Sequence, residues 1–424
     1  MGGLSEYLSK VRTAVTRRNG TQVAALLDVT ELAQGNVAAK QGAGKKKKGN
    51  LVLKDLNELK SLSEAQVEAK CGGALGSLDS SFGDVILACA LCAKFLKSGD
   101  PIEAYDRLVM GVQPFIDLFR AEEETWVVNP LHGMVANIRI VAEVADEALK
   151  LKGERPEKLE NAGNHLMSCF AAANRPQGNP DKRLATLRIV NSLFRIYFKL
   201  NTLRNCKYLV RVVDTKKFVA FSNFVAGDRV TYKYFVGRLA VFDENFEDAE
   251  RHLTYAFGHC HPTHVKNRRL ILKYLVSVKI LVTQSLPSDL LLTRYDLQSW
   301  YAGIKRAIKT GSVREFEKAL NERMEDYVEA GIFLLIEKLR VRVYRRLLKR
   351  TQIIHGLFKP DKAVQVPLKY FVRALQWEGY ACDLDEVECI VANQIYNGYV
   401  KGYISHKSGV VVLSKKDPFP PIAI

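Results

Sequence analysis

Residues 383–414 read DLDEVECIVANQIYNGYVKGYISHKSGVVVLS, and this stretch predicts an amphipathic helix followed by a β-hairpin. Asp383 is a typical helix N-cap, and Glu386 stands three residues later, as in a capping box. Gly398 is expected to end the helix, because glycine favours the left-handed turn that closes one. One face of this helix collects its apolar side chains, namely Leu384, Val387, Ile390, Val391 and Ile395.

Two β-rich runs follow, at 400–406 and 410–414, and the short connection Lys407-Ser408-Gly409 joins them into a predicted hairpin. Upstream of this stretch, Pro367 suits the first turn of another helix. That helix would carry an apolar stripe of about two turns, formed by Leu368, Phe371, Val372 and Leu375. Helix, helix and hairpin in this order predict a winged-helix module.

Before residue 355 the apolar spacing is helical almost everywhere. It predicts, among others, continuous helices at 102–120 and 330–354. Short connections rich in Gly, Pro and Asn separate the helices, so consecutive helices are expected to pack as antiparallel neighbours.

The segment 231–262 shows most clearly how these helices pair. Small residues stand at Gly237, Ala249 and Ala256, a pattern that resembles a tetratricopeptide-like helical hairpin. Such a hairpin buries its apolar face only when neighbours stack on it. The sequence therefore predicts an all-α fold, a tetratricopeptide-like helical-repeat solenoid with a C-terminal winged-helix module.

Three segments follow from this pattern: N-terminal helical repeats at 1–200, further repeats at 201–355, and the winged helix with its tail at 356–424. Within the first, residues 35–50 read GNVAAKQGAGKKKKGN and break the helical periodicity. One interpretation is a mobile loop; the other assigns Lys45–Lys48 to nuclear import or nucleic-acid binding.

Composition limits the possible classes of protein. The 424 residues are 47% hydrophobic and carry 63 Lys and Arg against 46 Asp and Glu, a formal charge of +17 that favours nucleic acid or an acidic protein as partner. The apolar run 85–93 is shorter than the roughly 20 residues of a membrane span, so no membrane insertion is expected. Glu6 and Lys10 argue against a secretory signal. The scattered cysteines are typical of a cytosolic or nuclear protein.

Motifs for catalysis are missing from the sequence, so no catalytic, cofactor-binding or metal-binding residue is assigned. Neither G-x-G-x-x-G, H-E-x-x-H nor G-x-S-x-G occurs. His259, Cys260, His261 and His264 crowd together, but no second ligand pair stands at zinc-site spacing, which favours helix termination. Cys89 and Cys92 lie inside an apolar run and are expected to be packing residues.

The last third of the chain is rich in basic residues. A stripe from Leu335 to Leu347 is expected to be buried, which would turn most cations of the same helix toward solvent. They form either a simple hydrated face or a platform for phosphates or for an acidic peptide. The candidate nucleic-acid-binding residues on this helix are Arg340, Arg342, Arg345, Arg346, Lys349 and Arg350. Those of the hairpin and its flanks, here called the wing lysines, are Lys401, Lys407, Lys415 and Lys416.

The second winged-helix helix begins with an acidic turn, which would be repelled by phosphate in a major groove. Backbone contact through the hairpin is therefore the favoured mode. The acidic turn and the neighbouring aromatic residues are candidates for protein contact, namely Asp385, Glu388, Tyr399 and Tyr403.

Four segments carry a resemblance to a known family: 229–261, 331–350, 383–421 and, more weakly, NSLFRIYFKLN at 191–201. They resemble the PCI-domain-containing subunit of the nuclear-pore-associated transcription-and-export complex (TREX-two), and the similarity extends from about residue 185 to 421. The related twelfth subunit associated with the signalosome, with a similar DEVEC and KGYI tail, is the alternative. A proteasome-lid-like structural subunit without RNA binding belongs to the same alternative.

The resemblance implies a non-enzymatic subunit without cofactors. It implies binding to a large export-complex scaffold protein of the germinal-centre-associated nuclear protein type and to a small acidic protein shared with the proteasome lid. It further implies a contribution to binding messenger RNA for export, in the nucleus at the periphery of the nuclear pore, with the cytoplasm as a second location.

Overall fold

Amphipathic helices form nearly all of the structure, a computed structural model that describes residues 3–38, 52–76, 78, 80–175, 179–215, 218–283 and 285–420. The predicted all-α, helical-repeat class is confirmed, with one small sheet near the C-terminus. Lys45–Lys48 lie outside the described residues.

The chain forms two compact units, 1–232 and 233–424. The division into three segments stays a prediction. The helices of the first unit are α1 Leu4–Thr16, α2 Gly20–Leu26, α3 Thr30–Ala38, α4 Glu64–Leu75, α5 Ser80–Ser98, α6 Pro101–Met110, α7 Val112–Ala121, α8 Val128–Lys152, α9 Lys158–Ala173, α10 Thr186–Lys199 and α11 Leu203–Val213. Short 3-10 turns lie at Leu53–Asp55, Asn57–Lys60, Thr125–Val127, Pro180–Ala185, Phe221–Asn223, Pro360–Lys362 and His406–Ser408.

The core of the first unit includes the two cysteines of α5. Cys89 and Cys92 are fully buried, and burial raises the pKa of Cys89 to about 12. Both are therefore packing thiols, as predicted. The continuous helix predicted at 102–120 is wrong, because the chain breaks at Gly111 into α6 and α7. A Cβ at Gly111 would lie 2.8 Å from the Cβ of Ala88, so glycine lets this turn approach α5 closely.

The boundary between the units falls inside α12, Ala226–Phe242. The second unit continues with α13 Phe246–His259, α14 Val265–Val282, α15 Asp289–Arg294, α16 Gln298–Thr310, α17 Val313–Asn321, α18 Met324–Glu329, α19 Phe333–Lys338, α20 Arg340–Phe358, α21 Leu368–Trp377 and α22 Leu384–Tyr396. Its strands are β1 Gln365–Pro367, β2 Gly402–Ser405 and β3 Val410–Leu413. The helix predicted at 330–354 is divided at Leu339 into α19 and α20.

The helical hairpin predicted at 231–262 is formed by α12 and α13. Asn245 caps α13 by accepting a hydrogen bond from the Asp248 backbone N–H at 3.3 Å. The two helices touch at Gly237, where a Cβ would lie 2.7 Å from Cγ of Leu253. Ala249 and Ala256 are fully buried in the same hairpin. The small residues therefore allow close helix approach, as the spacing predicted.

The winged-helix prediction is confirmed and extended. The order is α20, β1, α21, α22, β2, β3, and the antiparallel sheet has strand order β1-β3-β2. The sequence prediction missed β1, whose residue Pro367 pairs with Val410 and serves as N-cap of α21 instead of lying in its first turn. Gly409 closes the hairpin at φ +63°, a left-handed conformation that glycine adopts without strain.

Replacing Gly237 by Val should destabilise the protein by about 1–3 kcal/mol, because the new side chain must displace Leu253 in a packed contact. The matched control is Gly258→Val in α13, where a Cβ meets nothing within 4 Å. Chemical denaturation monitored by circular dichroism checks both variants, and equal effects would show that the α12–α13 contact is not close.

Candidate nucleic-acid and partner interface

The cations that open α20 are neutralised within the second unit. The Arg340 guanidinium lies 2.9 Å from a Glu317 carboxylate oxygen and 3.8 Å from one of Glu337. Just before the helix, Lys338 Nζ pairs with Glu244 at 2.5 Å. These contacts leave little of the local positive charge available to a phosphate.

Arg342 does not face solvent, contrary to the expectation for this helix, since only 5% of it is exposed. Its Nη2 donates to the Leu281 carbonyl at the end of α14. Its guanidinium lies 4.5 Å from the centre of the Tyr399 ring, a cation–π contact. Burial lowers the pKa of Arg342 to about 10. Helical periodicity places Arg342 beside the buried stripe of α20. Its contacts, the Leu281 carbonyl and the Tyr399 ring, lie far away in the sequence, so periodicity alone does not predict them.

Arg345 is half-buried and ties the winged helix to α20. Its Nε donates to the Tyr399 carbonyl at 3.0 Å, and its Nη2 donates to the Pro420 carbonyl at 2.6 Å. Nearby, Gln394 Nε2 of α22 donates to the Val341 carbonyl at 3.0 Å. Since Arg345 uses its donors on backbone carbonyls, we describe it, with Arg342, as a clamp between α20 and the C-terminal segments.

Three further cations of α20 lie nearer the surface. The exposed Arg346 donates through Nε to the Lys309 carbonyl at 3.0 Å, and Arg350 donates to the Thr310 carbonyl. Both carbonyls belong to the last turn of α16, where a cation interacts favourably with the helix dipole. Lys349 is half-exposed. This face keeps positive charge toward solvent while it caps α16.

The wing lysines are all exposed. Lys401 lies 3.8 Å from a carboxylate oxygen of Asp417, a loose pair in solvent. For Lys407, Lys415 and Lys416, no ion pair is seen within the described residues of the second unit. These side chains form an accessible basic surface on the hairpin and its flanks.

The acidic turn of α22 begins as predicted, with the Asp383 side chain accepting from the Glu386 N–H at 2.8 Å. Glu388 lies 2.9 Å from Nδ1 of His406 in the hairpin connection. This carboxylate raises the pKa of His406 by hydrogen bonding and by charge. Part of the acidic turn is therefore held against the hairpin.

The four residues predicted to contact protein have different environments. Asp385 and Tyr403 are exposed, whereas Glu388 is engaged by His406. Tyr399 is half-buried, and its ring lies against Arg342. The first two remain available to a partner, and the other two contribute to the internal structure of the module.

The sequence prediction missed an apolar surface at the end of α20. Ile353, Ile354, Leu357 and Phe358, here called the apolar run, are 48%, 51%, 77% and 82% exposed. On α21, Trp377 is 83% exposed. Single exposed apolar side chains are common on protein surfaces, but several on consecutive turns form a patch that is typical of a protein-binding surface. The signal in the sequence was the continuation of apolar residues beyond the predicted buried stripe.

The histidine-rich segment after α13 ends that helix. Nδ1 of His259 lies 2.9 Å from the Tyr255 carbonyl, and the two rings stack with centroids 3.9 Å apart. This contact agrees with the predicted role in helix termination. Over the described residues, no group of three or more His, Cys, Asp and Glu side chains is arranged to hold a metal ion, and no helix is long and apolar enough to cross a bilayer.

Comparison with known proteins agrees with this architecture. A sequence model of the PCI domain matches residues 317–415, from α17 to the hairpin. PCI domain-containing protein 2 of Danio rerio is 38% identical over 353 residues, covering 82% of this chain and 86% of that protein. The chain belongs to the PCI domain-containing protein 2 family. The resemblance found in the sequence is thus confirmed, and the PCI domain identifies the chain as a subunit of a protein complex.

Two other relatives show the breadth of this PCI family. Enhanced ethylene response protein 5 of Arabidopsis thaliana is 39% identical over 343 residues, covering 81% of this chain and 82% of that protein. Protein CSN12 homolog of Neurospora crassa is 31% identical over 329 residues, covering 70% and 73%. The alternative considered from the sequence was the twelfth subunit associated with the signalosome, and a protein with a CSN12 name is thus among the relatives of this chain.

Replacing Arg345 by Met should lower the free energy of unfolding by about 2–4 kcal/mol, because two backbone carbonyls lose a charged donor. Lys349→Met, four residues along the same helix, is the control and should change stability by less than about 0.5 kcal/mol. Urea denaturation measures both variants. Equal stability of the two would contradict the clamp.

The ring of His406 should titrate above its ordinary pKa of 6.5, because the Glu388 carboxylate favours the protonated form. The contact therefore stabilises the folded state at low pH and is lost as pH rises through the raised pKa. Proton NMR titration of the His406 ring measures this pKa. In Glu388→Gln it should fall toward 6.5, and a wild-type pKa at or below that value would contradict the contact.

Proposed function

We propose that the chain is a non-enzymatic adaptor subunit of a nuclear mRNA-export complex of the TREX-two type, located at the nuclear pore periphery. In this role it binds a large scaffold protein and a small acidic protein, and it contributes sequence-independent contacts to RNA. Membership of the PCI domain-containing protein 2 family and the resemblance of residues 185–421 support this proposal.

The observation that carries the proposal is the apolar run at the end of α20. A free subunit would hold four large apolar side chains in water on consecutive turns, and burying them against a partner stabilises the complex by about 25 cal/mol for each Å² removed from water. We therefore assign scaffold docking to this part of the winged-helix module.

RNA contact is assigned to the wing lysines together with Arg346, Lys349 and Arg350. These side chains can neutralise phosphates without reading bases, which suits an export factor that binds many transcripts. Arg340, Arg342 and Arg345 are left out of this surface, because Arg340 is paired with carboxylates, Arg342 is buried, and Arg345 is tied to backbone carbonyls. The overall charge of +17 also favours an acidic protein partner.

A second candidate function is that of a signalosome-associated PCI subunit without RNA binding. The similarity to the Neurospora crassa Protein CSN12 homolog favours it. The two candidates differ in which complex copurifies with the chain from nuclear extract, and in whether the purified complex binds single-stranded RNA.

Two variants of the full chain test the adaptor role by separating its two surfaces. Leu357→Glu with Phe358→Glu should abolish copurification of the export scaffold, because the new charges would be desolvated at the interface. Replacing the four wing lysines by Gln should spare copurification, weaken binding to oligouridylate and reduce the salt slope by about 0.7 for each lost phosphate contact.

Lys318→Gln with Arg251→Gln is the control, since both side chains are exposed and lie outside these surfaces. Copurification of signalosome subunits in place of the export scaffold would favour the second candidate. An unchanged salt slope in the wing variant would remove RNA binding from the wing.

A further inference from the structure

A pocket of about 480 Å³ lies in the second unit between α14, α16 and α20. Its polar side consists of Lys309, Arg342, Arg345 and Arg346, and none of the described residues that line it carries a carboxylate. The concentration of four cations around one concave space creates a strong positive potential, which favours a ligand with more than one negative charge.

The buried guanidinium of Arg342 is incompletely satisfied. Nη2 donates to the Leu281 carbonyl and the Tyr399 ring covers one face, but Nε and Nη1 are buried and have no hydrogen-bond partner within the described residues. Buried charged donors are normally paired, and an unpaired one points to a ligand that completes the site. The residue itself is 95% buried, with 5% exposed.

The cations are also held in place before any ligand arrives. Arg346 is anchored on the Lys309 carbonyl, and Arg345 on the carbonyls of Tyr399 and Pro420. A site whose donors are already fixed loses little conformational entropy on binding. Arg345 adds positive charge to the pocket, while its Nε and Nη2 already donate to backbone carbonyls.

The other side of the pocket is aliphatic. Ile280, Leu286 and Ile308 line it, and the volume is far larger than a lone phosphate requires. The size falls in the range of small-ligand sites, in which apolar walls hold the body of a ligand and a few polar groups orient it. A ligand that combines one phosphate with a flat heterocyclic ring, whose face can lie on the aliphatic wall, matches both sides.

We propose that this pocket binds a nucleoside monophosphate, with the phosphate on the arginine side and the base against the aliphatic side. The nucleotide is either free or the 5′-phosphorylated end of an RNA strand, since both present the same chemistry. The assignment goes beyond the proposed adaptor function. The pocket shares Arg346 with the proposed RNA surface, but it does not depend on the wing lysines, which are not part of the lining.

The test is isothermal titration calorimetry of the full chain with adenosine 5′-monophosphate. Saturable binding is expected, whereas adenosine, which lacks the phosphate, should bind at least about tenfold more weakly. Lys309→Gln with Arg346→Gln removes two cations from the rim and should also weaken binding by about tenfold or more. Lys318→Gln with Arg251→Gln removes the same charge elsewhere in the unit and should leave binding unchanged.

Competition with 5′-phosphorylated and 5′-hydroxyl hexa-adenylate separates the two sources of nucleotide. Stronger competition by the phosphorylated strand assigns the pocket to RNA ends, and no competition by either strand assigns it to free nucleotide. Equal affinity for O-phosphoserine and adenosine 5′-monophosphate would overturn the nucleotide assignment, as would unchanged binding in the rim variant or no binding at all. The four-lysine wing variant should retain nucleotide binding, so the failure of this proposal and that of the RNA-binding wing are distinguishable.

Discussion

The hydrogen bonds of two arginines of α20 to backbone carbonyls fix the winged helix in its place. Arg342 reaches the end of α14, and Arg345 reaches the segments on either side of the hairpin. Removing a guanidinium group from water costs several kcal/mol, and it is tolerated only where strong acceptors replace the water. The carbonyls of Leu281, Tyr399 and Pro420 supply part of those acceptors, while Nε and Nη1 of Arg342 have none among the described residues.

α20 is the first helix of the winged-helix module, and it also packs on α16 and α17. One helix therefore belongs both to the module and to the helical packing that precedes it. Its inner turns carry the clamp, and its last turns carry the apolar run. The proposed docking surface at that end and the proposed nucleic-acid surface at the hairpin are therefore held in a fixed geometry within the second unit. A partner seated on the apolar run would position the basic hairpin without any rearrangement of the module.

Features encoded by neighbouring residues could be predicted from the sequence. The Asp383 cap and the small residues at Gly237 and Ala249 follow from short-range spacing, and the structure agrees. β1 was missed because Gln365–Pro367 is too short for an alternating pattern and is defined only by its pairing with β3. The confirmed winged helix thus rests partly on a strand that has no local signature.

The candidate site was harder to predict for the same physical reason. Periodicity separates the buried stripe of α20 from its flanks, but it cannot show that Arg342 and Arg345 meet acceptors from other segments. The exposed apolar run was missed because a pattern of apolar residues predicts only that the side chains will be buried. It does not show whether they are buried within the chain or against another molecule. Both errors, the clamp arginines and the apolar run, concern which residues or molecules pack against a face of α20. That packing is decided by tertiary structure.

The clamp also has a consequence for the order of events during synthesis. Arg345 precedes its acceptors Tyr399 and Pro420 by 54 and 75 residues. β1 likewise cannot form its pairing until β3 has been synthesised. While the ribosome is still making the C-terminal segment, α20 must keep a hydrated arginine beside an unfinished interface. The second unit can therefore close only after β3 and Pro420 have emerged from the ribosome.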